Sequence, residues 1–283
     1  MKLDLTKHHA LGNDFLVAFH PHVADLSALA VRLCDRRRGI GADGLLVAES
    51  EPGYAARMIL FNADGSRAEM SGNGIRCFAQ ALAARRGDLT PQRILTDAGE
   101  RLVHLTATDR DDMLDVSVDM GEVLPIAPPA GWDDLGCHPD RPVAHLSVGN
   151  PHSVVGVEDV LDVDLLSLGR RVPTTNLEII EAGPEADAIT MRVHERGAGI
   201  TEACGTGACA SAWAAVSWGL VPARVEEIAV HMDGGRAKVR LHQPSAGRVT
   251  LVGPTVLIGT VTVEIDAADT LDPHPSTEER AIA

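Results

Sequence analysis

Two distant stretches of this chain share one design. Met70-Ser71-Gly72-Asn73-Gly74 runs into an Ala-rich segment from Ile75 to Ala84, and Ala203-Cys204-Gly205-Thr206-Gly207 runs into another from Ala208 to Ala215. Each sets a small nucleophilic side chain on a Gly-x-Gly turn that opens a helix. First-turn N–H groups have no partner inside their helix, and the dipole makes that end partly positive, so each turn can hold an anion. Two such ends meeting over one carboxylate would make an active site. A duplicated motif in 283 residues also points to two similar halves instead of one large core.

The balance of charge narrows the partners. A formal charge of -15 argues against nucleic acid, because a backbone binder needs a clustered basic surface, and Arg36-Arg37-Arg38 reads as a solvated face. No charge occurs from Ala203 to Ala223, yet glycines, serines, Thr206 and Pro222 interrupt that stretch too often for a membrane span. A helix apolar on all sides but not in a membrane belongs inside a core, here one surrounded by sheet. Five cysteines without a pairing pattern, and a start without a charged-then-apolar leader, point to the reducing cytoplasm.

Strands are expected at 14–18, 44–48, 56–62, 93–98, 101–107 and 113–118, with helices over 26–34 and from the first motif to about Arg86-Gly87. The cluster Pro125, Pro128, Pro129 and Gly131 breaks the pattern. Beyond it the order recurs: strands at 143–148 and 153–157, a helix near 163–170, strands at 176–181 and 189–195, the second motif helix, and strands at 227–231, 236–241 and 248–252. The β-branched run 255–265 is a further strand, and from Asp266 the chain holds too few apolar residues to pack. The expected division is an N-terminal domain over 1–122, a C-terminal domain over 123–254 and an acidic tail over 267–283.

The motifs HALGNDF (9–15), NADGSRAEMSGNGIRC (62–77), GNPHSV (149–154), NLEII (176–180) and RVHERGAGITEACGTGACA (192–210) closely resemble the diaminopimelate epimerase family. The resemblance implies an α+β fold of two domains, each a β-barrel-like sheet around a central helix. The site would lie in the cleft between them, the strand at 255–266 would return to the first domain, and the active form would be a homodimer. It also implies interconversion of LL- and meso-diaminopimelate, a step toward lysine and peptidoglycan, with no cofactor.

Inverting an α-carbon requires taking a weakly acidic proton from one face and returning one to the other. Without a cofactor, fixed dipoles must stabilise the charge that spreads into the carboxylate. The expected donors are the backbone N–H groups of Gly72, Asn73, Gly205 and Thr206. Pyridoxal phosphate would need a Schiff-base lysine, and Lys2, Lys7 and Lys238 stand in no phosphate-loop context. A metal site is not expected either: His8 and His9 point to opposite faces of a strand. Cys204 at a helix start should have a depressed thiol pKa and serve as the base, whereas Cys34, Cys137 and Cys209 read as small core residues.

The family pattern has its second catalytic cysteine where this chain has Ser71. A hydroxyl is a much weaker acid than a thiol, so Ser71 can donate a proton but is rarely an alkoxide base. Cys77 lies six residues on, about 240° around the helix, and is rejected as a substitute. The resemblance offers His152 and Glu195 to tune these groups, and Asn13, Asn62, Asn150 and Asn176 to hold substrate. Arg196 supplies a planar fork for a distal carboxylate, and Gly44 stands where some members carry glutamine. A related Ser/Cys epimerase with another substrate, and a binding protein that has lost turnover, are the rival readings.

Overall fold

The computed structural model describes residues 2–242 and 247–265; the expected tail, 267–283, lies outside the described residues. The first half supplies β1 (Lys2–Ala10), β2 (Asn13–Phe19), α1 (Leu26–Cys34), β3 (Gly44–Glu49), β4 (Ala56–Asn62), β5 (Arg67–Ala68), α2 (Gly72–Arg86), β6 (Gln92–Thr96), β7 (Gly99–Ala107) and β8 (Met113–Glu122). A short β9 (Leu124–Pro125) and a 3-10 turn over Asp133–Leu135 follow. The order then recurs as β10 (Val143–Ser147), β11 (Pro151–Gly156), α3 (Leu165–Arg171), β12 (Asn176–Ala182), β13 (Ala188–Glu195), β14 (Gly199–Thr201), α4 (Gly205–Ser217), β15 (Glu227–Met232), β16 (Gly235–His242) and β17 (Arg248–Glu264).

Strand pairing closes two rings. In the first, β1, β2, β3, β4, β6, β7, β8 and β17 are joined in that order and β17 pairs back to β1. In the second, β10, β11, β12, β13, β15, β16 and the start of β17 follow one another, and β8 running into β9 completes the circuit. Each ring has its parallel pairs in the same places: β2 with β3 and β4 with β6 in one, β11 with β12 and β13 with β15 in the other. The mixed α+β class is the one expected.

Each ring encloses one motif helix. A closed ring of about eight strands has an interior that side chains alone can fill, so a helix threaded through it leaves little room and favours small residues over much of its surface. α4 does so with Ala208, Cys209, Ala210, Ser211 and Ala212 all buried. α2 buries Ile75, Cys77, Phe78 and Leu82 and ends on Gly87, whose φ of 76° and N–H bond to Ala83 at 2.8 Å close the last turn. α1 and α3 pack outside, over the clusters around Leu29 and Leu45 and around Leu165 and Ile179. No helix among the described residues is long and apolar enough to cross a membrane.

Two elements depart from expectation. The runs read as separate strands at 248–252 and 255–265 form one strand, β17. Its β16 partner ends at Val252 and its β1 partner begins at Val256, so Pro254 lies where one side of the ladder is open and a missing N–H costs little. β1 was absent from the expected strands because its apolar alternation stops after Leu5. Its remaining buried positions are Ala10 and His8, the latter satisfied by Gln80 and Thr6 at 2.9 Å each.

Candidate active site

α2 and α4 meet end to end. Ser71 caps α2 with an extended backbone, and its Oγ accepts the Gly74 N–H at 3.0 Å. Cys204 caps α4 in the same conformation, its Sγ accepting the Gly207 N–H at 3.3 Å. The cap carbonyls take the N–H groups of Ile75 and Ala208, both at 2.9 Å. The first-turn N–H groups of Gly72, Asn73, Gly205 and Thr206 then remain without a protein partner among the described residues.

Gly72 and Gly205 let the two ends touch. A methyl on either would stand 2.9 Å from the other's Cα, closer than Cβ atoms approach backbone. Asn73 ties the junction: its Nδ2 donates to the Ala203 carbonyl at 2.9 Å and to Asn13 Oδ1 at 3.2 Å. Gly205→Ala is expected to destabilise the fold by about 1–3 kcal/mol, the usual overpacking cost, and to weaken anion binding at the junction. Denaturant unfolding and ligand titration check both.

Beside this junction lies a cavity of about 60 Å³ lined from both barrels, by Ser71, Asn13 and Asn62 on one side and Asn150, Asn176, Glu195 and Arg196 on the other. It adjoins a groove of about 500 Å³ that shares Asn13, Asp43, Asn62, Ala198 and Thr201. The larger groove of about 620 Å³ around Arg141 and Trp218 shares no residue with this site. The four asparagines expected to bind substrate therefore converge, each already held: Asn13 Nδ2 by Asp43 at 2.7 Å, Asn62 Nδ2 by Ser66 at 3.0 Å, Asn150 Nδ2 by Thr206 at 3.2 Å and Asn176 Nδ2 by the Pro151 carbonyl at 3.1 Å. At Gly44 a Cβ would lie 2.8 Å from the Phe61 carbonyl and 3.2 Å from the Phe15 ring, so no larger side chain fits without movement.

Arg196 reaches across the cleft. Its N–H donates to Asn176 Oδ1 at 2.8 Å and its Nη2 pairs with Glu69 at 2.7 Å, joining second half to first.

Cys204 lies buried behind the cavity wall, 3% exposed, with its Sγ 3.5 Å from Thr206 Oγ1, and the neighbouring Glu195 carboxyl accepts from Thr201 at 2.5 Å. The expected depression of its pKa is not found. Burial first, then the charges of Glu195 and Glu178, push the Cys204 thiol well up, because desolvation outweighs the helix end. Both causes favour the thiol over the thiolate at residue 204. Burial and the nearby Glu178 also push the Glu195 carboxyl up, which makes it a fit acceptor for that thiol's proton.

His152 does not line the cavity. It is buried with Nδ1 2.6 Å from Glu178 Oε1 and Nε2 2.9 Å from Asn150 Oδ1, so it acts on the site through Asn150 and, beyond it, Thr206. Thr206 Oγ1 stands 3.5 Å from Cys204 Sγ, which completes a chain from Glu178 to the thiol. Glu178 was not singled out from the sequence. The signal was available: one acidic residue at an inward position in the otherwise apolar run Leu177-Glu178-Ile179-Ile180. Ser71 has no hydrogen-bonded side-chain base among the described residues. Cys77 is fully buried and its thiol is pushed up to about 12 by desolvation, in keeping with its rejection. Cys34 and Cys209 are core residues as expected, but Cys137 is only half-buried.

The family model described as diaminopimelate epimerase matches residues 5–125 and 145–258. The diaminopimelate epimerase of Halothermothrix orenii is 37% identical over 292 residues, covering 93% of this chain and 99% of that protein. That of Pelotomaculum thermopropionicum is 39% identical over 277 residues, covering 89% and 95%. Among solved structures, a phenazine biosynthesis protein of the PhzF family from Bacillus anthracis shares the fold with a TM-score of 0.70 at 14% identity, covering 94% of this chain and 100% of that one. Two barrels whose motif helices abut beside one cavity, and a family match over residues 5–125 and 145–258, place this chain in the diaminopimelate epimerase family.

Proposed function

We propose that this protein is an isomerase that interconverts LL- and meso-diaminopimelate by removing and replacing the α-proton without a cofactor. The observation that supports it most is the pair of abutting helix ends, whose four unpartnered N–H groups converge where two candidate proton carriers are held. The substrate α-carboxylate binds at the junction, and the donors strengthen as charge moves onto it during proton removal. Cys204 takes the proton on one face after passing its own to Glu195. Ser71 donates on the other face, and its lack of a base makes the pair lopsided. Within the same proposal the enzyme works in the cytoplasm as a homodimer, a reading that rests on the family and on five unpaired cysteines. Equilibrium sedimentation tests the oligomer.

The distal amino acid head is held by Arg196 with Asn62 and Asn176. Arg196→Met is expected to raise KM about 10- to 100-fold with kcat little changed, the loss of a charge-assisted contact made equally in ground and transition states. Steady-state kinetics check it. The reading as a whole is tested by incubating the protein in heavy water with LL- or meso-diaminopimelate and following α-deuterium by mass spectrometry. Uptake accompanied by interconversion supports it; binding without uptake contradicts it in favour of a protein that has lost turnover.

A further inference from the structure

Arg76 is a buried cation with no carboxylate. Side chains on a helix lean toward its N-terminus, so Arg76, one turn inside α2, reaches back to the junction. Its Nη1 donates to the Gly72 carbonyl at 3.0 Å and its Nη2 to Asn73 Oδ1 at 2.7 Å, while Nε reaches the Pro254 carbonyl at 3.4 Å. Gly253 provides flat backbone beside the guanidinium, where a Cβ would stand 3.4 Å from Cζ. The residue is 0% exposed and forms no ion pair among the described residues.

The groups close enough to act on it are the thiols of Cys77 on its own helix and Cys209 on α4. On the strands around α2, His8 of β1 is bonded to Gln80, and Asp14 of β2 is held by Lys7 at 2.9 Å and Arg36 at 2.6 Å. β17 presents only backbone to the guanidinium. Cys209 follows Gly205 by four residues as Arg76 follows Gly72, so the twin position on α4 holds a small side chain. A second buried guanidinium, Arg101 of β7, also acts on Cys209, but it has the Asp119 carboxylate of β8 acting on it, which Arg76 lacks. Burial lowers Arg76 only to about 10, which leaves it charged at neutral pH.

An isolated buried charge is costly, and a well-packed apolar residue in its place is often neutral or stabilising. A compensating negative charge is therefore expected in some state of the protein. We infer that Arg76 is a positioning residue whose unpaired charge, set behind the joined helix ends, completes its electrostatic balance only when a carboxylate binds there and gains negative charge during proton removal. The inference rests on the proposed function and deepens it. The charge needs no contact with substrate, because its field acts through dry protein and through Asn73.

The test compares Arg76→Met and Arg76→Lys in the full-length protein. Arg76→Met is expected to weaken calorimetric binding of meso-diaminopimelate about tenfold and to slow α-hydrogen exchange on the order of 100-fold. Arg76→Lys keeps the charge and should stay within several-fold of the parent at pH 7. Its buried ammonium loses its proton more easily, so exchange should decline at a lower alkaline pH than in the parent. A merely structural arginine would not add this limb. Parent-like binding and exchange in Arg76→Met would overturn the inference. Should that variant not fold, an Arg76→Lys profile superimposing on the parent's would overturn it instead. A parent that binds but does not exchange would defeat the catalytic reading, and the calorimetric comparison would then decide the role of Arg76.

Discussion

Cys204→Ala is expected to slow α-hydrogen exchange about 10²- to 10⁴-fold, the usual worth of a positioned general base. The thiol accepts the Gly207 N–H at 3.3 Å and stands 3.5 Å from Thr206 Oγ1, and in the proposed reaction it passes its proton to Glu195 before acting as the base. Loss of the cap costs only about 1 kcal/mol, so the variant should fold and still bind diaminopimelate. Mass-spectrometric uptake of deuterium measures the effect, and an undiminished rate would remove Cys204 from the reaction. The same geometry sets the pH response. Burial and two neighbouring carboxylates keep the thiol protonated, so exchange should rise as pH rises and the base is formed.

Ser71→Cys is expected to raise net epimerisation by at least about tenfold. A thiol is a stronger acid than a hydroxyl and also supplies a usable base. The twin helix shows that the change fits: Cys204 caps α4 through Sγ at 3.3 Å in the backbone conformation that Ser71 adopts at α2. The gain should be in kcat, because the carboxylate donors are backbone groups that the substitution leaves alone. Unchanged or lower activity in a folded Ser71→Cys variant, measured by coupled turnover from LL-diaminopimelate, would count against residue 71 as the second proton carrier.

Much of this arrangement could be read from the chain. The duplicated Gly-x-Gly turns pointed to two similar halves, and the charge-free Ala-rich helix, with small residues on nearly every face, to a helix buried within sheet; that each half is a barrel around its own helix was what the family resemblance implied. The four asparagines came from their motifs. What the sequence hid was interior polarity. His8 and Glu178 sit at inward positions that a pattern of apolar alternation treats as outward, and their partners, Gln80 and His152, are distant in the chain. The acidity of Cys204 was misjudged for a related reason. A helix start is visible as Cys-Gly-Thr-Gly, whereas desolvation and the charge of Glu178 exist only once β12 is packed beside α4. Arg76 would pass on a helical wheel for an ordinary charged residue; only its closure inside a barrel, facing a carbonyl and an asparagine, marks it as exceptional.

A crystal structure of the protein with meso-diaminopimelate bound tests the central claim most directly. The account predicts one α-carbon held between Ser71 Oγ and Cys204 Sγ, with its carboxylate within about 3 Å of the first-turn N–H groups of α2 and α4 and the distal carboxylate on Arg196. A ligand seated elsewhere, or bound with that carboxylate turned away from the helix ends, would contradict it.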